Sequence, residues 1–399
     1  MRALTPEQSS EACPGCRGSD LTSFYRQERV PVHSCLLLPS REQAERFPRG
    51  AIRLVLCNTC GSIWNTEFDF NLTTYAGNYE ASQAFSPRFR EFAHELAEEL
   101  VKRYGILGKC VLEVGCGEGD FLLLLCALGG NRGVGIDPAL SPARAADADR
   151  SGVTFIAEAY SERYADIRAD LVVCRHTLEH LPNAREFLRL IRNGAGDSPT
   201  AIVYLEVPDV ERILREGAFW DIYYEHCSYF SAGSFERLAR GANLEVLDVR
   251  HGFDGQYLQL YARPARGRSL DVPAGQSDVE RLREAAGRFQ RLHAEQVGDW
   301  NARLERMRTD GRTAALWGSG SKAVAFLTTL DARDEVECVV DINPRRQGMY
   351  MAGVRQRIVP PSFLSDNRPD VVIVMNPVYR DEIRSELHAL GLRPELLSL

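Results

Sequence analysis

From Ser86 to Ile106 the chain reads SPRFREFAHELAEELVKRYGI, and apolar side chains return at Phe89, Phe92, Ala93, Leu96 and Leu100. That spacing puts them on one face of a helix. Downstream the period changes. CVLEVGC and GVGID read as strands, DFLLLLCALG as the helix between them, and ADLVVCR and AIVYLEV as later strands. From Pro273 to Asp310 the chain turns charged, with Val279, Leu282, Ala286, Phe289 and Leu292 in a stripe that Val297, Trp300, Leu304 and Met307 continue after a shift. A helical stretch of that length is rarely needed inside one compact domain and predicts a connector. A second run of strand (TAALWG), helix (SKAVAFLTTL) and strands (VECVVDI, DVVIVMN) follows, with no tandem repeat. The expected fold class is α/β.

Composition narrows the setting. At 399 residues the chain calls for two or three domains, and 44% apolar with 26% charged residues is ordinary for a soluble protein. A net charge of −7 gives no general attraction to nucleic acid. No run approaches a membrane span, and MRALTPEQSSEAC lacks the apolar core of a signal peptide, so a cytoplasmic location is the default expectation. In that compartment the 11 cysteines should be thiols or metal ligands. CPGC and CNTC place Cys13, Cys16, Cys57 and Cys60 in two C-x2-C knuckles, each aiming two thiolates at one tetrahedral ion. Four cysteines close the coordination sphere, so structural zinc is predicted. His33 and Cys35 lie between the knuckles without knuckle spacing and read as bystanders. The predicted division is 1–75 for a zinc-binding domain, 76–270 for a central α/β domain, 271–310 for the connector and 311–399 for a C-terminal Rossmann-like domain.

Two glycine-rich loops follow strands. In VLEVGCGEGDF, Gly115, Gly117 and Gly119 permit a tight turn and close approach of a ligand. The next strand ends at Asp137, where a carboxylate can accept from a ribose diol. Glu113 discriminates, because a carboxylate at that position would repel a pyrophosphate. The second loop, LWGSGSKA, reads G-x-G-x-x-A from Gly318 to Ala323, with Asp341 ending the next strand. It is open to three readings: a redox dinucleotide, a packing turn, or a phosphate site assisted by Lys322. No hydride-transfer chemistry is evident nearby, so the acceptor or the architecture is expected to use it.

E-V-G-C-G-x-G resembles the glycine loop of class I methyltransferases, which bind S-adenosylmethionine. The resemblance implies that Glu113 sits near the amino-acid moiety of the cofactor or orders the loop, that Gly115 and Gly117 line it, and that Asp137 takes the ribose. Within AEAY, Glu158 and Ala159 fall where that family contacts adenine, and His176 is a further candidate for touching the cofactor.

YYEHCSYF, starting at Tyr223, sets Glu225 beside His226 among tyrosines, and reads as too polar for a buried strand. Knuckles, methyltransferase loop, YYEH, connector and GSGSKA…VVDINPRRQGMYMAG, in that order, resemble the sugar C-methyltransferases of deoxysugar biosynthesis over nearly the whole chain. That family methylates carbon 3 of nucleotide-linked 4-keto-deoxysugars, held between the central and C-terminal domains. The resemblance implies that Tyr223, Glu225 and His226 form a Y-x-E-H motif with His226 as general base. His180 would be a catalytic-site histidine and Tyr79 a contact to the ketone, with Tyr75 as an alternative to Tyr79. Two departures stand out: Tyr224 replaces an aspartate, and HGFDGQYLQL replaces a His-Gly-Gly-Ser form. The chemistry is coherent. A ring carbon becomes nucleophilic once the proton α to a carbonyl is removed, histidine can take it near neutral pH, Glu225 could orient or strengthen a neighbouring histidine, and a tyrosine hydroxyl can stabilise the enolate. Cys116 and Cys227 read as neutral fillers. A small-molecule acceptor, most simply a nucleotide-sugar, is the expected partner. O- or N-methylation by the same base, and a non-catalytic cofactor-binding protein, remain alternatives.

Overall fold

The computed structural model describes residues 12–73, 79–141, 152–266 and 276–399. Three sheets organise them. The central one has seven strands, in the order Leu244–Gly252, Tyr257–Pro264, Ile202–Pro208, Leu171–Arg175, Cys110–Val114, Arg132–Ile136, Val153–Ile156. Only Tyr257–Pro264 runs against its neighbours. The strand order reverses between Cys110–Val114 and Leu171–Arg175, which are parallel partners, so their carboxyl ends open a crevice where ligands bind in such sheets. Both strands are buried on both faces, which explains their continuous apolar runs.

The predicted helices form. Pro87–Tyr104 starts at Ser86, whose side chain accepts from the Phe89 amide, and ends at left-handed Gly105. It buries Phe92, Leu96 and Leu100 against the sheet. The charged stretch after residue 275 is a single helix, Gln276–Thr309. Its stripe does not serve one surface. Leu282, Ala286 and Phe289 join a core with Phe24 and Tyr25 of the first strand, while Trp300 and Leu304 join the same core beside Ala314 and Phe326. At 1.5 Å per residue the helix is about 50 Å long, enough to span both packing partners.

The C-terminal sheet is wholly parallel, in the order Ile358–Val359, Val336–Val340, Ala314–Trp317, Val371–Val374, Glu395–Ser398. The remaining four-stranded sheet is antiparallel: Leu21–Pro31, Arg49–Cys57, Ile63–Asn65 and, from far along the chain, Ser228–Tyr229. A short pairing of Leu37–Leu38 with Tyr350–Met351 ties the same region to the C-terminal one. Tyr224, Glu225, His226 and Cys227 are all buried, contrary to what their polarity suggested, because strands from another part of the chain cover them. Among the described residues no helix is long and apolar enough to cross a membrane.

Candidate active site

The knuckle cysteines converge. Sγ atoms of Cys13, Cys16, Cys57 and Cys60 lie within 4.8 Å of one another, with Cys13–Cys60 at 3.5 Å and Cys16–Cys57 at 3.6 Å. A tetrahedron of thiolates about 2.3 Å from zinc has edges of about 3.8 Å, so the four fit that ion with little adjustment. The amides of Gly15 and Gly18 donate to the sulfurs of Cys13 and Cys16 at 3.3 and 3.4 Å, favouring thiolates. His33 and Cys35 stand outside this cluster. They are bystanders to the metal only: His33 bonds the Glu225 carboxylate and Cys35 lines a large cavity beside Ser321.

A continuous cavity of about 2000 Å³ runs from the first glycine loop, past Tyr223 and His226, to the second glycine loop. Single-ligand sites usually occupy about 300–1,000 Å³, so this one has room for cofactor and acceptor together. At the first loop it is lined by Glu113, Gly115, Gly117, Asp137, Ala159 and His176. Glu113 is 3% exposed, and one of its carboxylate oxygens has no hydrogen-bond partner in the protein. Burial pushes its pKa up to about 8, against the pull of Arg175. An orphaned buried carboxyl beside a glycine loop fits a cationic ligand such as the amino-acid end of S-adenosylmethionine. Asp137 accepts from the Gly117 amide at 2.8 Å and from the Ala139 amide at 2.7 Å, which leaves lone pairs on both oxygens for a diol. Glu158 is absent from the lining. Its exposed carboxylate is taken by Arg163 and Tyr164, both at 2.6 Å, because their side chains reach back across the turn that follows it.

Behind the loop lies a polar network that the sequence did not announce. Glu206 is fully buried and accepts from Arg175 at 2.9 Å, Tyr204 at 2.7 Å and Gln259 at 3.1 Å, with His176 Nε2 at 3.1 Å. Burial opposes a charge on His176, but Glu179 and Glu206 outweigh it and lift its pKa to about 9. His176 also adopts a positive φ of 50°, a strained turn that aims its ring at the cavity and edge-on to Tyr257, 4.4 Å between centroids. Glu179 is 1% exposed and neither of its oxygens has a hydrogen-bond partner.

The YYEH segment divides by position. Tyr223 and His226 line the cavity; Tyr224 and Glu225 do not. His226 stacks obliquely on Tyr223 at 4.2 Å and meets the His180 ring edge-on at 4.8 Å. Burial, reinforced by the nearby His180, His176 and Lys322, depresses its pKa well below the usual histidine value, so it is neutral at pH 7. Burial, with Asp221 close by, keeps the Tyr223 hydroxyl protonated. Tyr79 also lines the cavity; Tyr75 lies outside the described residues. Tyr224 packs instead on Phe68 and accepts from the Asp69 amide at 2.8 Å, so the departure at 224 faces away from the acceptor space. Glu225 turns the same way: its carboxylate meets His33 and Ser34, with no bond to His226. The role given to Glu225 toward a neighbouring histidine therefore falls to His33, which has no sequence proximity to betray it.

At the second loop Asp341 accepts from the Ser319 amide at 2.9 Å. The Lys322 ammonium pairs with Asp221, which also holds Arg212 at 2.6 Å. Lys322 thus lines the cavity with its ammonium already engaged by a carboxylate that it shares with Arg212.

Residues 88–249 match the model of a methyltransferase domain, and residues 276–393 match that of a C-methyltransferase C-terminal domain. The chain is 30% identical to the C-methyltransferase NovU of Streptomyces niveus over 327 residues, 76% of this chain and 75% of that protein. Among solved structures, it is similar to the 1,6-didemethyltoxoflavin-N1-methyltransferase of Burkholderia thailandensis with bound S-adenosylhomocysteine. That likeness has 20% identity and a TM-score of 0.36, covering 45% of this chain and 80% of the other. The magnesium protoporphyrin IX methyltransferase of Synechocystis is similar at 14% identity and a TM-score of 0.35, covering 47% and 89%. The fold and its crevice are those of an S-adenosylmethionine-dependent methyltransferase. Within that class, the chain belongs to the C-methyltransferase family that includes NovU.

Proposed function

We propose that this C-methyltransferase acts on a nucleotide-linked keto-deoxysugar, with His226 as the base that generates an enolate. The observation that carries the reading is a neutral imidazole, His226, in the same cavity as the Glu113–Asp137 crevice, flanked by protonated Tyr223 and by His180. Glu113, Gly115, Gly117 and Asp137 would hold the cofactor, with Ala159 toward its base. When bound, S-adenosylmethionine supplies the electrophilic methyl group that the acceptor carbon takes. The chain's own residues do the rest. His226 accepts the proton α to the ketone, Tyr79 or Tyr223 donates to the developing oxyanion, and burial excludes water from the carbanion. Negative charge on the acceptor opposes the effect of Lys322, His180 and His176 and raises the basicity of His226 when it is needed. The second glycine loop, at the far end of the cavity, supports an acceptor long enough to carry a nucleotide.

The test is to incubate nucleotide-linked 4-keto-deoxysugars with enzyme and cofactor in deuterated water. Exchange of one ring proton and a C-methylated product are expected. His226→Asn should lower the rate by roughly 10²–10⁴-fold, the usual worth of a general base, with cofactor affinity near normal. Methylation by His226→Asn at the parental rate, or a product carrying its new methyl on oxygen, would end this reading.

A further inference from the structure

Tyr223 to Cys227 belong to no helix or strand, lying between a short helical turn, Phe219–Asp221, and the two-residue strand Ser228–Tyr229. One backbone bond closes the turn, from the His226 amide to the Tyr223 carbonyl at 3.2 Å. An irregular segment with so few internal ties takes its shape from whatever its side chains grip: Cys227 Sγ reaches the Glu179 carbonyl at 3.6 Å, while Tyr224 and Glu225 reach into the knuckle region. Tyr224 holds the Asp69 amide, and Glu225 is the stronger anchor.

The Glu225 carboxylate is 1% exposed. Burying such a charge costs several kcal/mol unless hydrogen bonds replace the lost water. Here His33 Nδ1 lies 2.7 Å from one oxygen, and the Ser34 amide donates to the other at 2.8 Å, joined by the Ser34 hydroxyl. Burial disfavours the ionised form, but these bonds prevail and keep the carboxyl below its usual range. An ionised carboxylate can only accept, so His33 must carry its proton on Nδ1. The Ser34 hydroxyl also lies 2.8 Å from that of Ser321, the first residue of the helix after the second glycine loop. One dipeptide, just past the first strand of the knuckle sheet, thereby joins the catalytic segment to both other parts of the molecule.

We infer that His33 is a positioning residue: with Ser34 it clamps Glu225 and so sets where Tyr223 and His226 stand in the cavity. His33 does not itself line the cavity; it reaches the site through its bond to Glu225 and through an edge-on contact with Tyr79, 6.2 Å between ring centroids. The inference rests on the reading of His226 as base. It gives the knuckle region a catalytic duty besides holding a metal.

The experiment compares His33→Ala with His33→Asn, whose amide can present a donor close to the place of Nδ1. In the alanine variant kcat should fall by about 100-fold, the scale of a small misplacement of a reacting group. The KM for acceptor, the cofactor Kd and the zinc content should stay within about twofold, and asparagine should restore most of kcat. Exchange of the acceptor's α-proton in deuterated water should fall in step. If alanine at 33 costs the fold, Ser34→Ala carries the same test, with kcat down several-fold and zinc retained. Unchanged kcat in these variants, or no rescue by asparagine in a folded protein, overturns the inference. The two readings fail separately: a parental enzyme that exchanges no proton defeats the base assignment, whereas normal exchange in His33→Ala defeats only the clamp.

Discussion

The molecule contains the same local device twice, and the two copies have been finished differently. Each glycine loop follows a buried parallel strand, and each is closed by the aspartate of the next strand, Asp137 onto the Gly117 amide and Asp341 onto the Ser319 amide. Around the first loop a buried carboxyl, Glu113, is left with an oxygen unsatisfied and facing the cavity. Around the second, the protein has consumed most of what a ligand could use. Lys322 is paired with Asp221, Ser321 with Ser34, and Arg346 donates to the Ser319 carbonyl at 2.7 Å. The Asn343 amide nitrogen is an open donor there. Glycine spacing reports a tight strand-to-helix turn; the polar atoms left over report what the turn is for.

The sharpest way to break this comparison is steric. Gly115 has φ 73°, and a Cβ on it would stand 1.9 Å from the Thr177 hydroxyl. Gly115→Ala should therefore weaken S-adenosylmethionine binding by about 100-fold in calorimetry, since strain and clash act together. Binding that survives within a few-fold would mean that the first loop is not the cofactor's seat.

Next comes Glu113→Gln. The parental carboxyl keeps its proton up to about pH 8, and a neutral acid cannot pair with a cation. Deprotonation helps binding, so affinity should rise as pH goes from 6 to 8, by about tenfold for each unit well below the pKa if pairing requires the anion. The glutamine variant should lose that slope and bind roughly tenfold more weakly at pH 8. A parental affinity independent of pH would show that Glu113 only orders the loop.

Effects at the second loop should be smaller and of another kind. Ser319→Ala removes a hydroxyl, fully buried, that donates to Asp341 at 2.5 Å. Stability should fall by about 1–2 kcal/mol in denaturant unfolding, with cofactor affinity unchanged. A drop in cofactor affinity there would erase the distinction between the loops. Smallest of all is Gly320→Ala. Gly320 has an ordinary φ of −77°, and an added Cβ meets nothing within 4 Å. Stability should shift by less than about 0.5 kcal/mol. The space above it is cavity, so the acceptor KM should rise a few-fold; an unmoved KM would assign that loop to architecture alone.

What the sequence disclosed was chemistry packed into contiguous motifs. Cys13, Cys16, Cys57 and Cys60 announce themselves by spacing. Apolar runs mark Cys110–Val114, Arg132–Ile136, Leu171–Arg175 and Ile202–Pro208 of the mixed central sheet and Ala314–Trp317, Val336–Val340 and Val371–Val374 of the parallel C-terminal one, but not Leu244–Gly252, Tyr257–Pro264, Ile358–Val359 or Glu395–Ser398. Glu206 was invisible because its partners Arg175 and Gln259 sit on the strands either side of its own, brought opposite it by sheet register. Glu225 was visible as a residue but not in its bonding, since His33 is 192 positions away and carries no motif of its own. Tyr224 misled for a related reason. Neighbours in an irregular segment can face opposite sides, and only the cover supplied by another sheet decides which.

Residues Ser228 and Tyr229 complete the knuckle sheet by pairing with Trp64 and Ile63. The consequence is one for recombination. Whoever exchanges the first 73 residues between relatives, or trims them away, also replaces or removes the edge against which the segment just after His226 is laid down. The inheritable unit is discontinuous, roughly 12–73 together with 221–230. A chimaera that honours the linear border will carry mismatched halves of one sheet, while one that moves both stretches together keeps the seam intact.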